Sequence, residues 1–322
     1  MKSITVLIPA YNEEEVLSQL YDRLTFVTNQ LGGYNFEFLF VNDGSKDNTL
    51  SIIKELRRSD YRVSYVDLSR NFGKETAMIA GLDHAMGDAV VIIDADLQDP
   101  PELIPEMIRY WEEGYDDVYA KRSSRSGETW LKKWTSAKFY KMLKRTTNIP
   151  IQEDTGDFRL LDRRCVEALK QLRESQRYTK GMFSWIGYNK KEILFERDPR
   201  AAGETKWNYF KLIDLAIEGI SSFTTFPLRL SSLFGVIVSL FAFLYMIWII
   251  AKTLLFGESV SGYPSLMTII LFLGGIQLLS LGVIGEYLGR IFNETKKRPL
   301  YFVDEYNGEK AGNREKVRSE GL

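Results

Sequence analysis

Near its C-terminal end the chain carries two long runs without one charged side chain, and they limit what it can become. Leu230 to Ala251 gives 22 such residues between Arg229 and Lys252. As a helix that run covers about 33 Å, close to the roughly 30 Å hydrocarbon core of a bilayer. A second run, 27 residues, lies between Glu258 and Glu286, with Pro264 at the start of its helix, which leaves about 21 residues to span. The link from Phe256 to Tyr263 holds a single acid. So short a link predicts an antiparallel hairpin with both ends on one side of a membrane. Arg229 precedes the hairpin and Arg290, Lys296, Lys297 and Arg298 follow it, while only Lys252 borders the link. The positive-inside rule then places both flanks in the cytoplasm. The alternative is a buried hairpin in a soluble core, where such runs are rare. Gly285 and Gly289, with Gly274, Gly275 and Gly282 before them, predict close packing of the second helix. Met1 to Pro9 lacks the pattern of a cleavable signal.

Composition excludes several chemistries. The 322 residues contain one cysteine, Cys165, and one histidine, His84. An internal disulfide is impossible, and a zinc site of His and Cys is not expected. His84 and Cys165 read as structural residues on helices. With 42 Lys+Arg against 43 Asp+Glu the net charge is −1, so no global basic field argues for nucleic acid. A metal ion here is expected to be a hard cation held by carboxylates.

The first 200 residues alternate strand and helix. Ile4 to Ile8, Phe36 to Val41, Val63 to Val66 and Ala89 to Ile93 are β-branched or aromatic runs. Glu13 to Gln30, Thr49 to Arg57 and Glu75 to Met86 read as helices between them. The pattern predicts an α/β domain with a mostly parallel sheet, whose ligands bind beyond the carboxyl ends of the strands. Each strand ends in a polar cluster: Pro9 to Glu13, Asn42 to Ser45, Ser69 to Asn71, and Asp94-Ala95-Asp96. All four are expected along one edge. G-x-G-x-x-G and G-x-x-x-x-G-K-[ST] are both absent, so dinucleotide and P-loop readings lack their fingerprints.

Asp94 and Asp96 follow a buried strand at i and i+2. One or two carboxylates with open water positions suit a divalent ion that bridges phosphates, and such an ion withdraws charge from a departing diphosphate. The competing reading is a solvated turn. Asp43 can accept an N–H from a nucleobase edge, or can make an Asx-turn or helix cap ahead of Asp47. Arg70 and Lys74 flank Gly73 at a helix start, a place suited to phosphate. Residues 121–145 hold nine Lys/Arg against Glu128, interleaved with Trp130 and Trp134. In a chain tethered to a membrane this favours an anionic interface or lipid phosphate over a solvated face or nucleic acid. Trp207 to Ile220 reads as an interfacial amphipathic helix: Asn208, Lys211, Asp214 and Glu218 share one side, with apolar residues opposite.

Taken together, Ile-Pro-Ala-Tyr-Asn-Glu-Glu at 8–14, Val-Asn-Asp-Gly-Ser at 41–45, Asp-Ala-Asp-Leu-Gln-Asp-Pro-Pro at 94–101 and Thr-Gly-Asp-Phe-Arg at 155–159 resemble family-2 GT-A glycosyltransferases. The resemblance is greatest to the polyisoprenyl-phosphate branch: bactoprenol glucosyltransferases of the GtrB type, with dolichyl-phosphate mannose synthases as relatives. It covers nearly all of residues 1–300, including Gly-Glu-Tyr-Leu-Gly-Arg at 285–290. It implies a Rossmann-like GT-A domain and a nucleotide-sugar donor. By resemblance Pro9, Tyr11, Glu13, Val41 and Asp43 hold the nucleoside. Asp94, Ala95, Asp96 and Gln98 surround the diphosphate, with Asp94, Asp96 and Gln98 around Mg²⁺ or Mn²⁺. Lys74, Arg200 and Lys206 join the donor site. Arg122, Arg125 and Arg200 suit the phosphate of a polyisoprenyl lipid. Asp157 stands where dolichyl mannose synthases usually carry Ser, which favours the bactoprenol branch. It is the candidate base or acceptor orienter, beside Asp96.

The expected product is a lipid-phosphate-linked hexose, with glucose from UDP-glucose as the leading donor. GDP-mannose or a UDP-aminoarabinose derivative is the alternative. A non-catalytic membrane-anchored nucleotide-binding adaptor is the reading from another class. A processive synthase is disfavoured, because two spans leave little room for a channel and no Gln-x-x-Arg-Trp run occurs. The expected organisation is a cytoplasmic catalytic domain at 1–206, an interfacial helix and linker at 207–228, a hairpin at 229–290 (spans near 230–251 and 265–286) and a cytoplasmic tail at 291–322. The expected location is the bacterial inner membrane with both termini cytoplasmic. The glycines and the resemblance imply a homo-oligomer, with a tetramer as one form.

Overall fold

The structure, a computed structural model, describes residues 1–123, 155–175, 179–195, 226–256 and 262–311. The chain divides into two compact units, Met1–Leu212 with Pro299–Leu322, and Ile213–Arg298.

The first unit is built on a nine-stranded sheet. Its strands are β1 (Lys2–Ala10), β2 (Tyr34–Asn42), β3 (Val63–Leu68), β4 (Ala89–Ile92), β5 (Asp117–Arg122), β6 (Thr155–Asp162), β7 (Lys190–Phe195), β8 (Val303–Tyr306) and β9 (Glu309–Lys310). They lie in the order β7-β5-β6-β4-β1-β2-β3-β8-β9. β4, β1, β2 and β3 are parallel neighbours, as the alternating pattern predicts. β6 runs antiparallel between β4 and β5, and β5 pairs with β7 in parallel. The helices are α1 (Leu17–Asn29), α2 (Thr49–Ser59), α3 (Lys74–His84), α4 (Ile104–Glu112), α5 (Arg163–Gln171) and α6 (Thr179–Trp185).

The central strands are apolar on both faces, as a sheet covered on both sides requires. Ile4, Val6 and Ile8 of β1 share one core with Leu17, Leu20 and Leu24 of α1, Ile53 of α2 and Met107 of α4. Leu7 points to the other face. There Gly81 of α3 comes so close that an added Cβ would lie 2.0 Å from Leu7 Cδ1. Each such side chain, fully buried, contributes about 1.5–3 kcal/mol.

Residues 299–311 depart from the expectation of a tail. β8 joins the sheet antiparallel to β3, with Val66 opposite Tyr306 and Leu68 opposite Val303. Asn307 Oδ1 accepts the Tyr65 N–H at 2.8 Å, Glu305 takes Lys54 at 3.0 Å, and the Tyr65 hydroxyl donates to Glu305. Tyr301 donates to Asp83, which also binds Arg173 through both guanidinium nitrogens at 2.7 and 2.8 Å. These polar pairs give little hydropathy signal, so the sequence concealed a strand in what looked like a solvated end.

The second unit holds two long helices, α7 (Phe226–Phe256, 31 residues) and α8 (Tyr263–Thr295, 33 residues). Both outrun the expected spans. Among the described residues one stretch, Phe272–Thr295, is long and apolar enough to cross a membrane, and Leu230–Tyr245 is a shorter apolar stretch. An apolar groove of about 920 Å³ lies between the helices, lined by residues such as Phe234, Phe241, Ile276 and Val283. A Cβ at Gly274, Gly275, Gly282, Gly285 or Gly289 would meet nothing within 4 Å. Among the described residues, therefore, the close packing expected of these glycines is not made.

Candidate functional site

The parallel strands bring the polar clusters after β1, β2, β3 and β4 to one edge, where they are tied together. Asn12, in the left-handed region at φ 55°, receives the Lys46 N–H on its Oδ1 at 2.8 Å and donates its own N–H to Ser45 Oγ at 3.0 Å. The Glu13 N–H reaches Thr49 Oγ1 at 2.9 Å, and Glu14 accepts from the backbone and side chain of Asn48. The β1 and β2 loops thus form one surface. Pro9 and Val41 lie opposite each other at its base, and Tyr11 stands exposed on it.

Asp43 joins the β2 loop to the β3 loop. Its Oδ1 accepts the Phe72 N–H at 2.7 Å and its Oδ2 the Gly73 N–H at 2.9 Å. Burial pushes its carboxyl pKa up, and these two N–H groups only partly counter the shift. Beside it Gly44 touches the same loop: a Cβ there would lie 2.5 Å from Arg70 C and Asn71 N. The Arg70 guanidinium lies over the Phe72 ring, 4.0 Å from its centroid. Together these contacts fix the start of α3, where Gly73 is the N-cap and Lys74 the first helical residue.

The β6 direction supplies the third acid. In its register with β4, Ala89 faces Asp162 and Ile92 faces Arg159. Continuing that pairing sets Asp157 across from Asp94, although 63 positions separate them in the chain. Lys74 Nζ bridges them, 2.7 Å from Asp94 and 2.6 Å from Asp157. Burial disfavours the ammonium, but the two carboxylates outweigh it and raise the Lys74 pKa. Burial, with the negative charge of Asp157 and Asp96, raises that of Asp94 against the pull of Lys74. Asp96 Oδ1 accepts the Gln98 N–H at 3.2 Å across Leu97, which is buried at φ 59°. A left-handed leucine is strained backbone, of the kind that persists when its surroundings hold it.

The residues fit a hard cation in part. Asp94 Oδ1 is buried and lies 2.7 Å from the Lys74 ammonium, and Asp96 follows two residues on. Two carboxylates suit an ion whose remaining positions go to phosphate and water. Among the described residues, no group of three or more His, Cys, Asp and Glu gathers to hold a metal. An ion here would depend on ligands brought by a substrate.

Arg159 anchors β6 two residues beyond Asp157, a role the sequence did not reveal. Its side chain is wholly buried, pairs with Asp117 at 3.1 Å, donates toward Gly156 O at 3.4 Å and lies 3.7 Å from the Phe183 ring centroid. Thr-Gly-Asp-Phe-Arg held the signal, since an arginine inside a strand run needs a buried acid; Asp117 is distant in sequence. Arg122 ends β5, opposite Phe195 of β7. Arg125, Arg200, Lys206, most of the basic 121–145 segment and the Trp207 to Ile220 helix lie outside the described residues.

Comparison with known proteins agrees with this construction. Residues 5–170 match the family model "Glycosyl transferase family 2", and residues 226–291 match "GtrB C-terminal hairpin". The chain is 52% identical over 305 residues to an uncharacterised glycosyltransferase of Synechocystis, covering 95% of this chain and 96% of that one. It is 48% identical over 300 residues to the prophage bactoprenol glucosyl transferase homolog of Escherichia coli, covering 93% and 98%. It is equally identical to the bactoprenol glucosyl transferase of Shigella phage SfV, over 93% and 97%. Glucosyl-3-phosphoglycerate synthase from Mycobacterium tuberculosis aligns over 68% of this chain and 76% of its own, at 19% identity and a TM-score of 0.48; that distance transfers no residue roles. By its matched domain and its relatives of near-equal length, this chain belongs to glycosyl transferase family 2, as a glycosyltransferase with a GT-A α/β domain and a GtrB-type C-terminal hairpin.

Proposed function

We propose that this glycosyltransferase moves a hexose, with glucose from UDP-glucose as the leading donor, onto a polyisoprenyl phosphate such as undecaprenyl phosphate. The reaction is placed at the cytoplasmic face of the bacterial inner membrane, with both termini cytoplasmic. The observation that carries the reading is the alignment of Asp94 with Asp157 at the carboxyl edge of the sheet, with Lys74 between them. Relatives 48% identical, named bactoprenol glucosyl transferases, support the lipid acceptor.

In this reading the joined β1 and β2 loops seat the nucleoside through Pro9, Tyr11, Glu13, Val41 and Asp43. Asp94, Ala95, Asp96 and Gln98 face the diphosphate, with Lys74, Arg200 and Lys206 as its cationic partners. Asp94 and Asp96, with Gln98 beside them, would hold Mg²⁺ or Mn²⁺, which when bound draws negative charge from the leaving diphosphate. Arg122, Arg125 and Arg200 take the acceptor phosphate. A phosphate monoester has its second pKa near about 6 and is mostly dianionic at pH 7, so it needs little help from a base. Asp157 therefore orients the acceptor or the sugar more than it removes a proton. Attack from the face opposite the nucleotide inverts the anomeric carbon. The hairpin anchors the enzyme in the bilayer that contains the lipid.

The test is transfer of radiolabel from UDP-glucose to undecaprenyl phosphate by the purified full chain, scored in the organic phase. Label is expected with Mg²⁺ or Mn²⁺. EDTA, Asp94→Ala and Asp157→Ala are each expected to cut it by at least about 100-fold, the scale of a lost electrostatic contact in a transition state. Label from another UDP- or GDP-sugar, with none from UDP-glucose, would replace the donor. Silence across the sugar panel from folded protein would end the lipid-acceptor reading.

A further inference from the structure

At the sheet edge, Lys74 is the side chain whose position local rules do not explain. It is the first residue of α3, where the helix macrodipole favours an acid and disfavours a base. What it gains is tertiary. Its ammonium is within 2.7 Å of both Asp94 and Asp157, two acids whose charges repel if nothing lies between them. We infer that Lys74 is an internal counter-ion that holds the Asp94 carboxylate when no metal is bound, so that a divalent cation binds tightly only as a nucleoside diphosphate draws the ammonium away. This rests on the metal role proposed above for Asp94 and Asp96.

Three observations carry the inference. An ammonium has three donors and no lone pair, so Lys74 cannot become a metal ligand; it and a cation compete for Asp94. The described protein groups fall short of a full ligand set, so the cation gains its remaining oxygens from the diphosphate that offers Lys74 a new partner. The base of Lys74 is held through the Phe72 and Gly73 N–H groups on Asp43, yet its own side chain is 45% exposed. Its four-carbon stem can therefore swing from a fixed Cα. Metal and diphosphate then bind with positive coupling, each removing an obstacle to the other.

Mn²⁺ binding to the full chain in detergent, followed by the EPR signal of the free ion with and without UDP, tests this without turnover. Wild type is expected to bind Mn²⁺ weakly alone and at least about tenfold more tightly with UDP. Lys74→Met should bind Mn²⁺ alone about tenfold more tightly than wild type and lose most of the UDP effect. Lys74→Arg keeps the charge and should restore wild-type behaviour, a rescue that a purely structural role would not give. Thermal unfolding in EDTA adds a second readout: Lys74→Met should melt lower than wild type and recover with Mn²⁺. Lys74→Gln repeats the comparison should the Met variant fail to fold. If the uncharged variants bind Mn²⁺ alone no better than wild type while UDP-dependent binding persists, the counter-ion proposal is overturned and the metal site stands. If wild type binds no Mn²⁺ even with UDP, the metal reading fails, and the proposal fails with it.

Discussion

Asp43 accepts two backbone N–H groups from the loop that starts α3. Replacement by Asn keeps the size but turns one acceptor into an NH₂ donor facing an N–H. A buried donor left without an acceptor costs about 1–3 kcal/mol. Asp43→Asn should therefore unfold at lower denaturant by that amount. It should also lose transfer activity beyond what instability explains, because the base of Lys74 moves. A variant with normal activity at full folding would show that the loop holds Lys74 without Asp43. The carboxylate was legible in the sequence as a turn or a nucleobase acceptor; the backbone N–H groups that fix it lie 29 and 30 positions away, beyond the reach of local pattern. Arg159 shows the same limit: the residue stood in a recognised motif, but its partner Asp117 arrives only when β5 and β6 pair.

At the scale of elements, the turn from α2 into β3 is held by Asp60. It binds Arg62 at 2.8 Å and accepts the Tyr21 hydroxyl of α1 at 2.6 Å. Burial works against its charge, but Arg62 and Tyr21 hold the carboxyl down to about 2. Burial together with Asp60 pushes the Tyr21 phenol up to about 12. A carboxyl whose folded pKa is depressed stabilises the fold above its unfolded value, near about 4, and that contribution is lost as pH falls through its folded value. Asp60→Asn should cost on the order of 2 kcal/mol at pH 7, and the gap to wild type should close between pH 4 and pH 2. Urea unfolding of both proteins across that range checks it; a gap independent of pH would assign the effect to packing. Among elements, β1 to β4 and α1 to α3 were readable because their apolar residues repeat at strand and helix spacing. β6 and β8 were not, because each owes its place to a partner strand and carries polar groups, Asp157 and Glu305 among them, that hide its pattern.

At the scale of the molecule, the hairpin gives a prediction of its own. Leu240 of α7 and Phe272 of α8 are more than half exposed. If lipid covers them, arginine at either place costs about 2.5–3.5 kcal/mol near a span centre. The wild-type chain should remain in the membrane pellet through an alkaline carbonate wash, and Leu240→Arg with Phe272→Arg should move it toward the extractable fraction. Full retention of the double variant would mean that the hairpin is not the anchor. The sequence by itself determined the two apolar runs, the strand-helix alternation and the polar clusters at the strand ends, because these depend on residues near one another in the chain. Only the tertiary structure decided which clusters meet. The antiparallel register of β6 set Asp157 against Asp94, the Asp43 contacts aimed Lys74 between them, and residues 303–306 returned to the edge of β3. Those outcomes depend on pairing and burial between segments up to about 250 positions apart, where local periodicity carries no information.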